Sequence, residues 1–270
     1  MTTTLTTEIQ AIEVTGLTKR FDPRGGTSRV ALEDVSFTVA PGRTIAVVGE
    51  SGAGKTTLVR CVAGLEKPTL GEIRINGEPL VLRPGRVSPV GMVFQNPTDA
   101  LDPMRSIGAS VAEPLRGMSR SERRTRVTEL LSLVGISAAR AKERPKSFSG
   151  GQLQRVVIAR GLASDPEVLL CDEPTSALDV SIQGQIVNLL LRLQAEHRFA
   201  GIVVTHDLAV ARVLADDALV LKAGRVVFHG SVEEMIDGSG LADPYVASLV
   251  DASRNSEVGQ RASVITAKAS

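Results

Sequence analysis

The sequence holds no tryptophan, one tyrosine and six phenylalanines, so aromatics make up only 3% of its 270 residues. That leaves no material for the stacking platforms on which single-stranded nucleic acid is held. A basic excess is missing too: 31 Lys and Arg stand against 30 Asp and Glu, a formal charge of +1. Affinity for a phosphate backbone depends on such an excess, so no nucleic acid is expected as a partner. Cysteine is scarce. Cys61 and Cys171 lie in apolar segments without metal-ligand spacing and read as buried free thiols in a reducing compartment. No apolar run approaches the roughly 18 residues that cross a bilayer. The opening MTTTLTTEIQ lacks both the basic and the apolar portion of a secretory signal. A soluble cytosolic chain is expected. With no internal repeat of about 20–50 residues, a solenoid or propeller is not expected.

Apolar residues, at 43%, suffice for the core of one large or two small domains. The runs Thr44–Val48, Val168–Cys171 and Gly201–Val204 read as buried strands. Ala218–Leu221 and Gly224–Val227 read as a hairpin turning through Lys222-Ala223-Gly224. Helical patterns, among them Thr57–Ala63 and Val180–Leu193, separate these runs, which predicts an α/β fold with a parallel sheet covered on both faces. From about Pro97 to Gly151, proline and glycine punctuate helical pieces such as Glu122–Val134, with Ser119 and Glu122 as a capping box and Gly135 as a stop. This stretch reads as a helical insert. The Thr-rich residues 1–10 are expected to fray, and the unpatterned residues 251–270 to form a mobile tail.

Gly49-Glu50-Ser51-Gly52-Ala53-Gly54-Lys55-Thr56, followed by Thr57, is a phosphate-binding loop between a strand and a helix. Its glycines let backbone N–H groups close around phosphate oxygens at a helix N-terminus. Lys55 is expected to reach the β- and γ-phosphates and the Thr56 hydroxyl to ligate Mg²⁺. The chain is therefore read as binding a nucleoside triphosphate. Asp172 and Glu173 end a buried strand, where ligands of doubly wound sheets sit. Asp172 suits the Mg²⁺ water shell and Glu173 the attacking water; the plainer alternative is two surface acids closing a strand.

Phe148-Ser149-Gly150-Gly151-Gln152 precedes Asp172, Ser176-Ala177-Leu178-Asp179 follows it, His206 ends the third strand, and Gln95 lies between the loop and the insert. With this ordered set, residues 11–250 resemble an ATP-binding-cassette (ABC) ATPase, with Phe148 where Leu is commoner. The resemblance implies a RecA-like P-loop NTPase core of mostly parallel sheet (about 11–95 and 152–235), an N-terminal antiparallel β portion and a helical subdomain at about 96–151. It implies ATP and Mg²⁺. Phe148–Gln152 would be a signature loop presented, through Ser149, to ATP held by a second subunit. Gln95 would touch Mg²⁺ or the attacking water, His206 the γ-phosphate, Asp179 the dimer seam and Phe21 the adenine. Read alone, these are respectively a turn with an N-cap, a solvated loop residue, a structural strand-end histidine, a helix cap and a core aromatic.

Phe94–Pro97, Ala100–Pro103, Ala112–Leu115 and Asp179–Leu190 resemble the peptide/nickel importer branch in particular. Asp243-Pro244-Tyr245 is similar to that branch's His-Pro-Tyr element, with Asp in place of His. The implied protein is an ATPase on the cytoplasmic face of a membrane, energising uptake of peptides or of nickel and other metal chelates. Its implied partners are an integral membrane permease, a second cassette and, indirectly, an external solute-binding protein. A soluble ABC ATPase of ribosome or DNA and a P-loop small-molecule kinase are the alternatives. The basic stretch Arg116–Arg126 is either a solvated helix face or a contact to permease or anionic lipid.

Overall fold

The computed structural model describes residues 9–22, 27–81, 87–238 and 243–255. Strands β1 (Ile12–Phe21), β2 (Arg29–Val39) and β3 (Thr44–Val48) lead into helix α1 (Lys55–Val62), and β4 (Leu70–Ile75), β5 (Glu78–Pro79) and β6 (Val90–Val93) follow. Then come helices α2 (Pro97–Ala100), α3 (Ile107–Val111) and α4 (Arg120–Leu133), two 3₁₀ turns at Ala138–Lys142 and Pro145–Ser147, and α5 (Gly150–Gly161). The chain continues through β7 (Val168–Asp172), α6 (Val180–His197), β8 (Ala200–Val204), α7 (Leu208–Leu214), β9 (Asp217–Lys222), β10 (Arg225–Ser231), α8 (Val232–Asp237) and α9 (Pro244–Asn255).

Two sheets form. The first, in the order β2-β1-β4-β5, is antiparallel. Leu32, Val35, Phe37 and Val39 of β2 are buried while residues between them face outward, the pattern of a sheet with one covered face. The second runs β10-β9-β3-β8-β7-β6, parallel throughout except for the β9–β10 hairpin. Every residue of β3 and of β8 is buried, as both-face coverage requires. One apolar cluster joins the antiparallel sheet to α1 and the parallel strands, another fills the helical insert, and a third seats α7 to α9 against β3 and β9.

The expected strands and the hairpin form. Ala223 and Gly224 both have positive φ, 47° and 81°, as a two-residue primed turn demands. The Ser119–Glu122 capping box is present and α4 starts at Arg120. The tail expected from residue 251 needs correction, because α9 runs to Asn255, anchored by the buried Val246 and Val250; residues 256–270, like the expected fraying residues 1–8, lie outside the described residues. Among the described residues, no helix is long and apolar enough to cross a membrane.

Cys61 and Cys171 are free and buried, and burial pushes their thiols up to about 11 and about 12. Since the thiolate is the reactive form, both are expected to resist alkylation in the native state at neutral pH and to take two labels once the unreduced chain is denatured. Rapid native labelling, or one disulfide's mass loss, would contradict this.

Candidate active site

Four neighbouring parallel strands end together, and each delivers a candidate residue at or just past its C-terminal end: β3 the phosphate loop, β6 Gln95, β7 Asp172 and Glu173, β8 His206. The register brings them level, with Val47 and Asp172 both opposite Val204. They line a cleft of about 650 Å³ together with Phe21, Arg29 and Leu249. Polar groups converging beyond the strand ends are what a ligand site of this architecture provides.

The loop is held from within. Lys55 is 9% exposed, and its Nζ donates to the Gly49 and Glu50 carbonyls at 2.6 and 2.8 Å. Gly49 is obligatory, because a Cβ there would sit 2.3 Å from the Leu221 carbonyl. No side chain caps α1, whose N-cap is Gly54; its first-turn N–H groups are left for an anion.

Glu173 adopts a left-handed backbone with φ 46°, a costly conformation for a residue with a side chain. The turn is fixed by the Glu173 N–H donating to Val204 O and by Ser176 Oγ donating to Glu173 O. The carboxylate lies between two groups: Gln95 Nε2 donates to Oε2 at 2.8 Å, and His206 Nδ1 lies 3.4 Å from Oε1.

Burial and neighbouring charge shift two groups of the cleft. Burial lowers the Lys55 ammonium, while Glu173, Asp172 and Glu50 act to raise it. Burial and then Glu173 raise the Asp172 carboxyl, against the pull of Lys55 and Arg60. Two adjacent acids at a phosphate loop fit a divalent cation, and the Thr56 hydroxyl, Asp172 carboxylate and Gln95 amide are the hard oxygen donors Mg²⁺ takes. Among the described residues, no group of three His, Cys, Asp or Glu could hold a metal alone; Mg²⁺ commonly relies on substrate phosphates instead.

Residues 32–176 match the family profile described as ABC transporter, more than half of the chain. The chain belongs to the ABC transporter family. The cassette is 43% identical over 230 residues to the di/tripeptide transport ATP-binding protein DppF of Pseudomonas aeruginosa strain UCBPP-PA14, covering 82% of this chain and 71% of that one. To the methionine import ATP-binding protein MetN of Corynebacterium efficiens it is 41% identical over 248 residues, 88% of this chain and 68% of that one. Its fold matches the dimeric, post-hydrolysis cassette MJ0796 bound to ADP and Pi with a TM-score of 0.72 at 34% identity, covering 82% of this chain and 98% of that one. The cassette is an ATPase with the RecA-like ABC fold.

Of the residues singled out in the sequence, Phe21, Gly49–Gly52, Gly54–Thr57, Gln95, Asp172, Glu173 and His206 line one cleft. Ala53 does not, since its side chain is buried in the core behind the loop. Phe148–Gln152 and Asp179 are also absent from the cleft wall. Ser149 is exposed and caps α5, exchanging hydrogen bonds with Gln152 in a capping box. Phe148 is turned inward at 9% exposure, with the Arg140 guanidinium 3.9 Å from its ring centroid, so it supports the loop rather than facing outward. Gly151 is there for space: a Cβ would meet Ile182 Cγ2 at 2.4 Å. Asp179 caps α6 by accepting the Ile182 N–H.

Sequence reasoning missed Gln154. It is 1% exposed on α5, and its Nε2 donates to the Phe94 carbonyl beside Gln95 while its Oε1 has no partner. A polar residue on an otherwise apolar helix face was the available signal. It missed Arg29 and Leu249 as cleft residues as well; they carried no motif.

The raised Asp172 carboxyl has a consequence. A carboxyl raised by folding favours its proton, so this group's contribution to stability falls as pH rises from the ordinary carboxylate range through its folded value. Asp172→Asn removes that cost. At neutral pH the nucleotide-free variant is expected to melt higher than the parent, and Mg²⁺-ATP to raise its melting point by less. Thermal melts with and without Mg²⁺-ATP check this; a lower melting point with an unchanged ligand shift would contradict it.

Proposed function

We propose that this cassette is the ATP-hydrolysing subunit of an importer of short peptides, attached at the cytoplasmic face of the membrane to a separate integral permease. The observation that carries it is the Glu173 carboxylate held between Gln95 and His206 at the mouth of a complete phosphate loop. Lys55 neutralises the β- and γ-phosphates, and Phe21 lies against the adenine. Thr56, Asp172 and Gln95 would hold Mg²⁺, which would supply screening of the phosphate charge. Glu173 takes a proton from the attacking water, and His206 donates to the γ-phosphate. Ser149 and the α5 N-terminus complete the site of a second cassette, and Asp179 lies at that seam. A solute-binding protein outside delivers the peptide, and no nucleic acid takes part.

The ordered motifs support this, as do the relatives, among them proteins named for peptide transport. A second cleft of about 350 Å³, lined by the exposed Leu65 and Val87 and by Phe94, supports the coupling to a permease. A permease segment seated there touches Phe94, the chain neighbour of Gln95, and so feels the state of the nucleotide. Co-purification from detergent-solubilised membranes tests the reading: an integral permease should accompany the cassette, and short peptides presented by the binding protein should stimulate ATP hydrolysis in the reconstituted complex. Recovery with ribosomes and no permease would overturn it.

A further inference from the structure

Helix α9 lies outside the residues matched by the family profile, yet it returns to the nucleotide cleft. Val246 and Val250 bury it among Val48, Val220 and Met235, and Arg254 donates to the Ile236 carbonyl of α8. Leu249 reaches the cleft wall. Tyr245, half-buried, accepts the Glu50 backbone N–H on its hydroxyl at 3.0 Å.

That N–H belongs to the peptide unit joining Gly49 to Glu50. The carbonyl of the same unit accepts from Lys55 Nζ at 2.6 Å. A trans peptide is planar, with N–H and C=O pointing in opposite directions, so fixing one end fixes the other. A chain of hydrogen bonds therefore runs from the Lys55 ammonium through one peptide to the Tyr245 hydroxyl, each polarising the next. Gly49, at φ 152°, has no side chain to resist rotation of that unit. The ring is held in turn: Lys222 Nζ is 4.9 Å from its centroid and 3.5 Å from Asp243 Oδ1, which accepts the Tyr245 N–H at 2.8 Å.

We propose that Tyr245 is a positioning residue for nucleotide binding, its hydroxyl clamping the Gly49–Glu50 peptide so that Lys55 is presented to the phosphates. The proposal rests on the role given above to Lys55. Pre-organised sites lose less entropy when the ligand arrives, so the clamp acts on affinity and leaves the chemical step alone.

Tyr245→Phe keeps the ring, its cation contact and the helix packing, and removes one hydrogen bond. We expect roughly a three- to tenfold rise in both the KM for ATP and the Kd for a fluorescent ATP analogue, with kcat changed by less than about twofold and a melting point lower by no more than about 2–4 °C, the usual effect of one hydrogen bond in a chain of this size. On a Lys55→Ala background, where binding is already weak, the same change should add nothing, because the clamp acts through Lys55. Tyr245 is the chain's one tyrosine and there is no tryptophan, so emission excited beyond the phenylalanine band reports this residue alone; Mg²⁺-ATP should change its intensity in the parent chain, after correction for nucleotide absorbance. Unchanged or tighter binding in Tyr245→Phe, a full additive loss on the Lys55→Ala background, or an emission indifferent to saturating Mg²⁺-ATP overturns the clamp. If Lys55→Ala itself leaves ATP affinity intact, the phosphate-loop reading fails, which is a different result.

Discussion

Glu173→Gln is expected to stop ATP hydrolysis while leaving ATP bound. The amide keeps the size of the carboxylate and can keep both neighbours, its oxygen accepting from Gln95 and its nitrogen facing His206. What disappears is the base: loss of a positioned general base costs about 10²–10⁴ in rate. Removing this negative charge also relieves Asp172, whose carboxyl Glu173 raises, and makes the cleft less repulsive to a polyphosphate. ATP-bound dimers should therefore accumulate on gel filtration with Mg²⁺-ATP, and phosphate release should fall by at least two orders of magnitude. A variant that elutes as a monomer with full turnover would remove Glu173 from the reaction.

Mixing two inactive variants is expected to restore hydrolysis. Lys55→Ala deletes the main phosphate-neutralising charge, and Ser149→Arg places a bulky cation at the exposed start of α5. Within one chain Ser149 is absent from the wall of the cleft that Lys55 lines, so a site using both draws them from two subunits. In a mixed dimer one site carries both defects and the other carries neither; random pairing makes about half of the dimers mixed, so about a quarter of the parental rate returns if one site suffices. With a different cassette as natural partner, the same mutations are divided between the two chains, and activity should follow which motifs face each other rather than how many are changed. Normal turnover by Ser149→Arg as a dilute monomer would refute the shared site.

Much of this is legible in the sequence itself. The loop from Gly49 to Thr56 is recognisable because phosphate binding needs glycines and a lysine at fixed spacing within one short segment. The strand runs ending at Val48, Cys171 and Val204 are legible because strands buried on both faces must be continuously apolar. The Ser119 cap is legible because its two hydrogen bonds lie within one turn. Local chemistry leaves local signatures.

The left-handed turn at Glu173 and the grip of Gln95 and His206 on its carboxylate come from three different strand ends, and only the sheet order makes them neighbours. Gln154 stood out as a polar residue on an apolar helix face, but its place beside Gln95, like that of Leu249 in the cleft wall, was illegible for the same reason. Tyr245 was visible as a letter in a C-terminal element, yet its contact with Glu50 spans 195 residues and exists because α9 packs on β3 and β9. Residue types, spacing and order along the chain determined which chemistry this protein carries. Which side chains meet, and in particular that one loop peptide joins Lys55 to the C-terminal helix, was decided by tertiary packing, since contact between distant segments depends on the closure of the whole core and leaves no period or motif in the sequence.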